Sequence, residues 1–362
     1  MMRWLAGIVL VVVLAAAGAA GWVAYQWQTP YQGYRGEAAV VDVPRGASTH
    51  AIARLLQREG VVRNALAFEL WSRLHREKKL EAGEYRFDRA MTPAEVFEQV
   101  AQGRVWTVSV VVPEGWTMFD IADEVAREGL ASREQFLRAA RNPALVRDIA
   151  PQAPTLEGFL FPATYRFPHR TTAAAMTAAM VRRFREVWAE LAMQDAAPRK
   201  LSLEQAVALA SLVEEETPKA AERPVIAGVF LNRLRLGYPL ECDPSVVYAL
   251  KLAGRYDGEL HPAELRIASP YNTYLHYGLP PGPIANPGEA SLRAVLEPAK
   301  VDYLYFVADG SGGHAFSRTL AEHERNVARY RRILAEEKQH NGKHSPGERP
   351  GAAPQHETRR LR

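Results

Sequence analysis

The residues best placed to do chemistry are the three acids of Val213-Glu-Glu-Glu-Thr217, which close a strongly patterned segment. Ser202-Leu-Glu-Gln205 is a capping-box signature, so a helix is predicted from Leu203, and Pro218 stops it near Thr217. At α-helical pitch Leu203, Ala206, Val207, Leu209, Ala210, Leu212 and Val213 share one apolar arc. Glu204, Ser211 and Glu215 fall opposite, on a face expected to be solvated. Glu216 lies between the directions of Leu209 and Leu212, and Glu214 between those of Leu203 and Val207. Carboxyl groups leaning onto an apolar face are costly unless partnered, and burial and the negative helix end both favour their protonated form. An acid protonated near neutral pH can deliver a proton to a leaving glycosidic oxygen. Two core glutamates satisfied by arginines such as Arg233 and Arg235 would give the same pattern, and periodicity leaves both readings open.

Further polar groups sit in segments rich in glycine, proline and aromatic residues. Glu157 precedes Gly-Phe-Leu-Phe-Pro, where it can bind a sugar hydroxyl or form an ion pair. Tyr271, Asn272 and Tyr274 lie in a loop where rings can stack on a sugar and Asn272 can contact it or stabilise a turn. Asp243-Pro244 reads as an N-cap and the first helical residue. Cys242, the single cysteine, cannot form an intrachain disulfide and is expected to be a small buried hydrophobe. Tyr303–Ala308 and His314–Ser317 read as a hairpin around a glycine-rich loop, with His314 lining a cleft or serving structure. There is no metal-ligand spacing, no Walker or Rossmann fingerprint and no Gly-x-Ser-x-Gly, so no metal or cofactor is expected.

These elements need a frame, and 362 residues with 48% hydrophobic content allow an anchor and two or three compact units. Residues 4–25 carry no charge and match one bilayer crossing, with Arg3 before them; a cleaved signal peptide is the alternative. The positive-inside tendency then leaves residues 1–3 in the cytoplasm and the working part outside, with Trp22, Tyr25 and Trp27 at the outer interface. A polar linker, Gln28–Arg35, leads to a strand at Ala38–Val43, and further helices are expected at Leu66–His75, Met91–Gln102, Ser132–Ala140 and Thr172–Ala192. Val43, Pro44, Gly46, Ile52, Ala53, Arg58, Glu59 and Gly60 recur as Val112, Pro113, Gly115, Ile121, Ala122, Arg127, Glu128 and Gly129, all offset by 69 positions. Each copy reads as strand, Pro-x-Gly turn and capped helix. The tail from Glu336 is poor in large apolar residues and is expected to be disordered. The net charge of +4 is weak reason to expect an anionic partner, and nucleic acid is not expected.

Five stretches together resemble the YceG-like endolytic murein transglycosylases: LEGFLFPATY (156–165), ALASLVEEET (208–217), FLNRLRLGYPLECDPSVVYAL (230–250), SPYNTYLHYGLPPGPIANPGEASLRAVLEPA (269–299) and YLYFVADGSGGHAFSRTLAEH (303–323). The resemblance implies an α+β protein: the anchor, a LysM-like α/β subdomain at 38–103, and a larger mixed catalytic domain at 104–335. The LysM-like part would contact glycan or serve as a spacer. It implies lytic cleavage of the MurNAc-β-1,4-GlcNAc bond within a strand, leaving a 1,6-anhydroMurNAc end. The second acid of the family's Ala-Ser-(Ile/Leu)-Val-Glu-x-Glu-Thr motif is its catalytic acid, here Glu216; Glu215 stands where the family often has a basic residue. Glu157, Glu214, Tyr271, Asn272 and Tyr274 are the candidate substrate-binding residues. Glycan strands, the cytoplasmic (inner) membrane and penicillin-binding synthases are the implied partners. A non-catalytic peptidoglycan-binding scaffold for wall synthases, or a hydrolase pairing Glu216 with Glu214 or Glu157, are the competing readings.

Overall fold

The computed structural model describes residues 2–194 and 201–341. The chain forms a mixed α+β fold that divides into two compact units, Met1–Val108 with Arg166–Thr171, and Ser109–Tyr165 with Thr172–Arg362. The first holds α1 (Met2–Gln28), β1 (Ala39–Val43), α2 (Thr49–Arg58), α3 (Ala65–Leu74), β2 (Gly83–Phe87) and α4 (Pro93–Ala101). Alternation in β1 buries Ala39, Val41 and Val43 and exposes Val40 and Asp42, as a strand with one solvated face requires. It pairs antiparallel with β2, Ala39 opposite Phe87 and Val43 opposite Gly83. The inner face packs on Ile52, Leu56, Phe68, Val96 and Phe97. Residues 28–35, expected as a linker, are held in place: Tyr31 pairs with Met91, and Gly33 N donates to Gly60 O at 2.8 Å.

The second unit is largely helical. After β3 (Thr107–Val112) come α5 (Met118–Arg127), α6 (Arg133–Ala140), β4 (Ala163–Pro168), α7 (Ala173–Gln194), α8 (Leu203–Glu216), α9 (Arg223–Leu236), α10 (Asp243–Leu252) and α11 (Glu289–Leu296). β5 (Tyr305–Ala308), β6 (His314–Ser317) and α12 (Leu320–Asn341) follow. β3 pairs with β4, and β5 with β6 in the hairpin expected from the sequence, Ala308 opposite His314. α12 continues past Glu336, where the disordered tail was expected to begin, because Glu336-Glu-Lys-Gln339 are good helix formers. The rest of that tail, residues 342–362, lies outside the described residues.

The repeat read from the sequence is structural. β1 and β3 each end on the valine before Pro-x-Gly, at Val43 and Val112. Ser48 caps α2 and Thr117 caps α5, and the helices end at Arg58 and Arg127. All of these pairs keep the offset of 69. Ile52 and Ala53 in one copy, and Ile121 and Ala122 in the other, are at most 2% exposed. Glycines with positive φ stop both helices, Gly60 at 72° and Gly129 at 71°.

Candidate active site

α8 starts with the capping box expected of it. Ser202 accepts from Gln205 N, Gln205 reaches back to Ser202 N, and the helix ends at Glu216. Its apolar arc is buried from Ala206 onward, with Leu203 half-buried, and the opposite face is not solvated throughout. Every residue from Ala206 to Val213 is buried, because α9, α10 and α11 all pack on this helix. Ser211 is 0% exposed; it donates to Ala208 O at 2.8 Å and accepts from Ile284 N at 3.0 Å. The proline-rich segment around Ile284 therefore covers the face that a helical wheel assigns to water.

The three acids of the last turn go to three different places. Glu214 is fastened to the frame: Arg223 Nη2 donates to its Oε1 at 2.7 Å and Gly288 N, at the N-cap of α11, to its Oε2 at 2.9 Å. The arginine is Arg223, not Arg233 or Arg235. Arg223 opens α9 beside the end of α8, whereas those two lie about 15–18 Å further along the helix axis. Arg233 instead donates to the carbonyls of Leu304, Pro239 and Leu240. Burial raises the pKa of Glu214 despite the guanidinium.

Glu215 also departs from the expected solvated position. It is half-buried under the Pro113–Gly115 turn, where a Cβ on Gly115 would stand 2.7 Å from its Oε1. Burial, helped by the charges of Glu214, Asp120 and Glu216 and opposed by Lys251, pushes it up to about 8.

Glu216 is 6% exposed and points toward the start of α10, where Cys242 Sγ donates to its Oε1 at 3.1 Å. Cys242 itself is the N-cap of α10, so Asp243 and Pro244 are the first two helical residues and the helix starts one position earlier than the sequence suggested. Tyr274 Oη donates to Asp243 Oδ1 at 2.5 Å. Burial, the Asp243 carboxylate, Cys242 and Glu216 together hold the Tyr274 hydroxyl far above the ordinary phenol range, so it remains an O–H donor. Cys242 N donates to Thr273 Oγ1 at 2.9 Å and Glu241 N to Thr273 O at 3.2 Å, which clamps the 269–274 loop onto α10. Glu216, Cys242, Asp243 and Tyr274 thus form one cluster.

Asn272 makes the clamp possible from inside. It is 0% exposed, donates to Leu265 O and Ile267 O at 3.0 Å each, and accepts from Tyr274 N at 3.0 Å. Those bonds serve the turn, the structural role left open by the sequence, and leave it no surface for a sugar in this conformation.

Glu157 is similarly internal, at 1% exposed. Both of its oxygens accept from Met118 N, the first residue of α5, at 2.9 and 3.0 Å, and Asn286 Nδ2 donates to it at 2.8 Å. Burial pushes it up to about 8. Tyr248 bonds to it and Tyr271 packs edge-on against Tyr248 at 5.0 Å. Tyr271 therefore belongs to the Glu157 cluster and not to the Glu216 cluster. His314 is committed as well: its Nδ1 is 2.7 Å from Glu222 Oε2, and its side chain is 8% exposed.

The YceG-like family profile matches residues 41–329. The chain belongs to the YceG-like family. It is 33% identical over 306 residues to an endolytic murein transglycosylase of Bacillus subtilis, covering 80% of this chain and 84% of that one. It is 28% identical over 364 residues to an endolytic murein transglycosylase of Streptococcus pneumoniae, covering 89% of this chain but 64% of the longer relative. A crystal structure of a yceG-like protein from Listeria monocytogenes superposes with a TM-score of 0.53 at 32% identity, covering 80% of this chain and 98% of the other.

In this YceG-like chain, sequence reasoning missed Asn286. Its Oδ1 accepts from Gly158 N at 2.8 Å and Leu160 N at 2.9 Å, and its Nδ2 donates to Trp116 O and Glu157. The only signal was its place in the Ala285-Asn-Pro-Gly288 run, which reads as a turn. The four convergent bonds are long-range and cannot be seen along the chain. Cys242 is buried as the sequence leads one to expect, but its thiol's partner, Glu216, is equally invisible along the chain.

Two outcomes follow. At Gly158, φ is +85° and a Cβ would fall on the Pro283 ring and 2.8 Å from Val207 Cγ1, whereas at Gly129 φ is +71° with nothing within 4 Å. Gly129→Ala is expected to cost about 1 kcal/mol and Gly158→Ala about 2–4 kcal/mol, measured by chemical denaturation of the second unit's transition. For the raised acids, the folded chain binds more protons than the unfolded one between their ordinary value and about 8. Their stabilisation is therefore full below about 4.5 and lost as pH rises through about 8. The melting temperature should fall across that window, and Glu215→Gln should flatten the fall; an unchanged slope would refute the shift at Glu215.

Proposed function

We propose that this chain is an endolytic peptidoglycan lytic transglycosylase, cutting MurNAc-β-1,4-GlcNAc bonds within nascent glycan strands. The carrying observation is the separation of roles in the last turn of α8: Glu214 is tied to Arg223 and Gly288, whereas Glu216 faces Cys242 and the Tyr274 cluster. Family membership and relatives named endolytic murein transglycosylase support the reaction class.

The chemistry needs one carboxyl group. Protonated Glu216 donates its proton to the glycosidic oxygen as the C1–O bond of the muramoyl residue breaks. The resulting carboxylate accepts the proton of that residue's own C6 hydroxyl, whose oxygen bonds to C1 and closes the 1,6-anhydro ring. One bond to C1 is lost and one gained, and Glu216 ends protonated as it began, so no water is consumed. A hydrolase would need a second carboxylate at about 5–10 Å to activate water. Glu214 and Glu157 are both engaged by backbone and side-chain donors, which favours the lytic route. Tyr274, half-buried beside the acid, is the candidate that can border a bound sugar.

The wider reading is that α1 is a single-pass anchor in the cytoplasmic membrane, with the N-terminus inside and the catalytic part outside. The apolar run Gly7–Gln28, mean hydropathy 2.3, supports it. The strand–helix–helix–strand order of the first unit, with β1 antiparallel to β2, supports a LysM-like module. Action in strand termination beside penicillin-binding synthases completes the proposal.

Digestion of purified sacculi tests it. The wild-type chain should release muropeptides with anhydro ends, one water lighter than reducing ends by mass spectrometry, and Glu216→Gln should lose about 10²–10⁴ in rate. Reducing ends would point to a hydrolase, and no release by either chain would point to a scaffold. Cys242→Ala removes the thiol donor to Glu216 and is expected to lower kcat about tenfold with KM little changed; Cys242→Ser should restore most of it.

A further inference from the structure

The end of α1 is not a slack tether. Trp27 Nε1 donates to Ala67 O of α3 at 2.8 Å, the Trp27 ring meets Trp71 edge-on at 5.2 Å, and Gln26 is only 9% exposed. Tyr31 then pairs with Met91 through backbone bonds of 3.0 and 3.2 Å. Trp27, at the end of the apolar run, also fastens α1 to α3.

That contact sets the height of α3 relative to the apolar run. Trp22 and Tyr25 end the run with 40% and 53% exposure, and such aromatic residues favour the headgroup layer. Arg63, just before the N-cap of α3, lies over the Tyr25 ring at 5.6 Å and the Tyr31 ring at 4.6 Å, which places its guanidinium beside the aromatic end of the run. Leu66 follows in the first turn of α3 at 54% exposure, and Leu74 at 67%, with half-buried Leu70 between them at helical spacing. An exposed leucine stripe on a helix fastened to a membrane span has a natural cover in the lipid itself. Exposed Arg76 and Lys79 extend the cationic character at its far end, where Arg73 and Lys78 are paired with Glu69 and Glu98.

Resting on the reading of α1 as a membrane anchor, we propose that α3 lies in the outer bilayer interface. Its Leu66–Leu70–Leu74 stripe enters the boundary between headgroups and acyl chains, and Arg63 with the later cations meets anionic lipid phosphates. The first unit is then seated on the membrane instead of suspended above it.

The test uses the full chain in nanodiscs of phosphatidylcholine, with and without phosphatidylglycerol. Spin labels at Val11→Cys, Leu66→Cys and Leu74→Cys report depth through their accessibility to oxygen and to a nickel chelate; Cys242 is buried and escapes labelling. Position 11 should lie deep in lipid, and positions 66 and 74 at the headgroup boundary. Arg63→Glu should raise nickel accessibility at 66 toward the aqueous value in anionic discs. Aqueous values at 66 and 74 with a lipid value at 11 would overturn the seating and leave the anchor intact. An aqueous value at 11 would remove the anchor and the proposal with it. Equal depth at 66 with and without phosphatidylglycerol would overturn the part assigned to anionic lipid.

Discussion

Three carboxyl groups on consecutive residues at the end of a buried helix are a concentration of like charge that the surrounding chain has to accommodate. Each leaves α8 in a different direction and each recruits a different segment. Glu214 takes the start of α9 and the N-cap of α11, Glu215 lies under the turn of the second repeat copy, and Glu216 meets the N-cap of α10. The last turn of α8 is therefore where four separate stretches of the second unit are brought together. Its own backbone would place these groups at the negative end of the helix dipole, an unfavourable site for carboxylates. Donors supplied by neighbouring helix starts, Gly288 N and the thiol of Cys242, offset that.

The same device recurs at Glu157, whose carboxyl group caps the start of α5 and joins the Asn286 hub. Asn286 in turn bonds to the 158–160 turn and to Trp116, so the proline-rich segment, the Pro113–Gly115 turn and the Glu157 stretch form one hydrogen-bonded body around α8. A rigid frame of this kind is what the acid role proposed for Glu216 would require, since preorganised groups need no rearrangement during reaction. The arrangement also separates tasks by chemistry. Glu214 and Glu157 are bonded to several donors and serve the frame, whereas Glu216 meets the Cys242 thiol beside Tyr274.

Much of the local structure was legible along the chain. The capping box at Ser202, the proline stop after Thr217 and the offset of 69 between the two strand–turn–helix copies all rest on interactions within a few residues, which a linear sequence records directly. The helical wheel also placed Glu214 and Glu216 away from solvent. It failed at Ser211 and Glu215 because it assumes that one helix face meets water, whereas here other segments cover nearly the whole circumference. β2 was not anticipated, since its half-buried five-residue pattern, GEYRF, carries little signal without its partner β1.

The sequence alone determined the capped start and proline stop of α8, the two strand–turn–helix copies and the apolar run at the N-terminus, and through resemblance it pointed to the glutamate expected to carry the acid role. Tertiary structure alone decided how the candidate residues are grouped. It put Tyr274 and Cys242 with Glu216, put Tyr271 and Asn286 with Glu157, turned Asn272 inward and chose Arg223 over Arg233 as the partner of Glu214. The physical reason is separation along the chain. Capping and periodicity act over a single helical turn, whereas these pairings, the local turn of Asn272 apart, bring together residues from nine to 129 positions apart, and only the packing of whole elements determines which side chains meet.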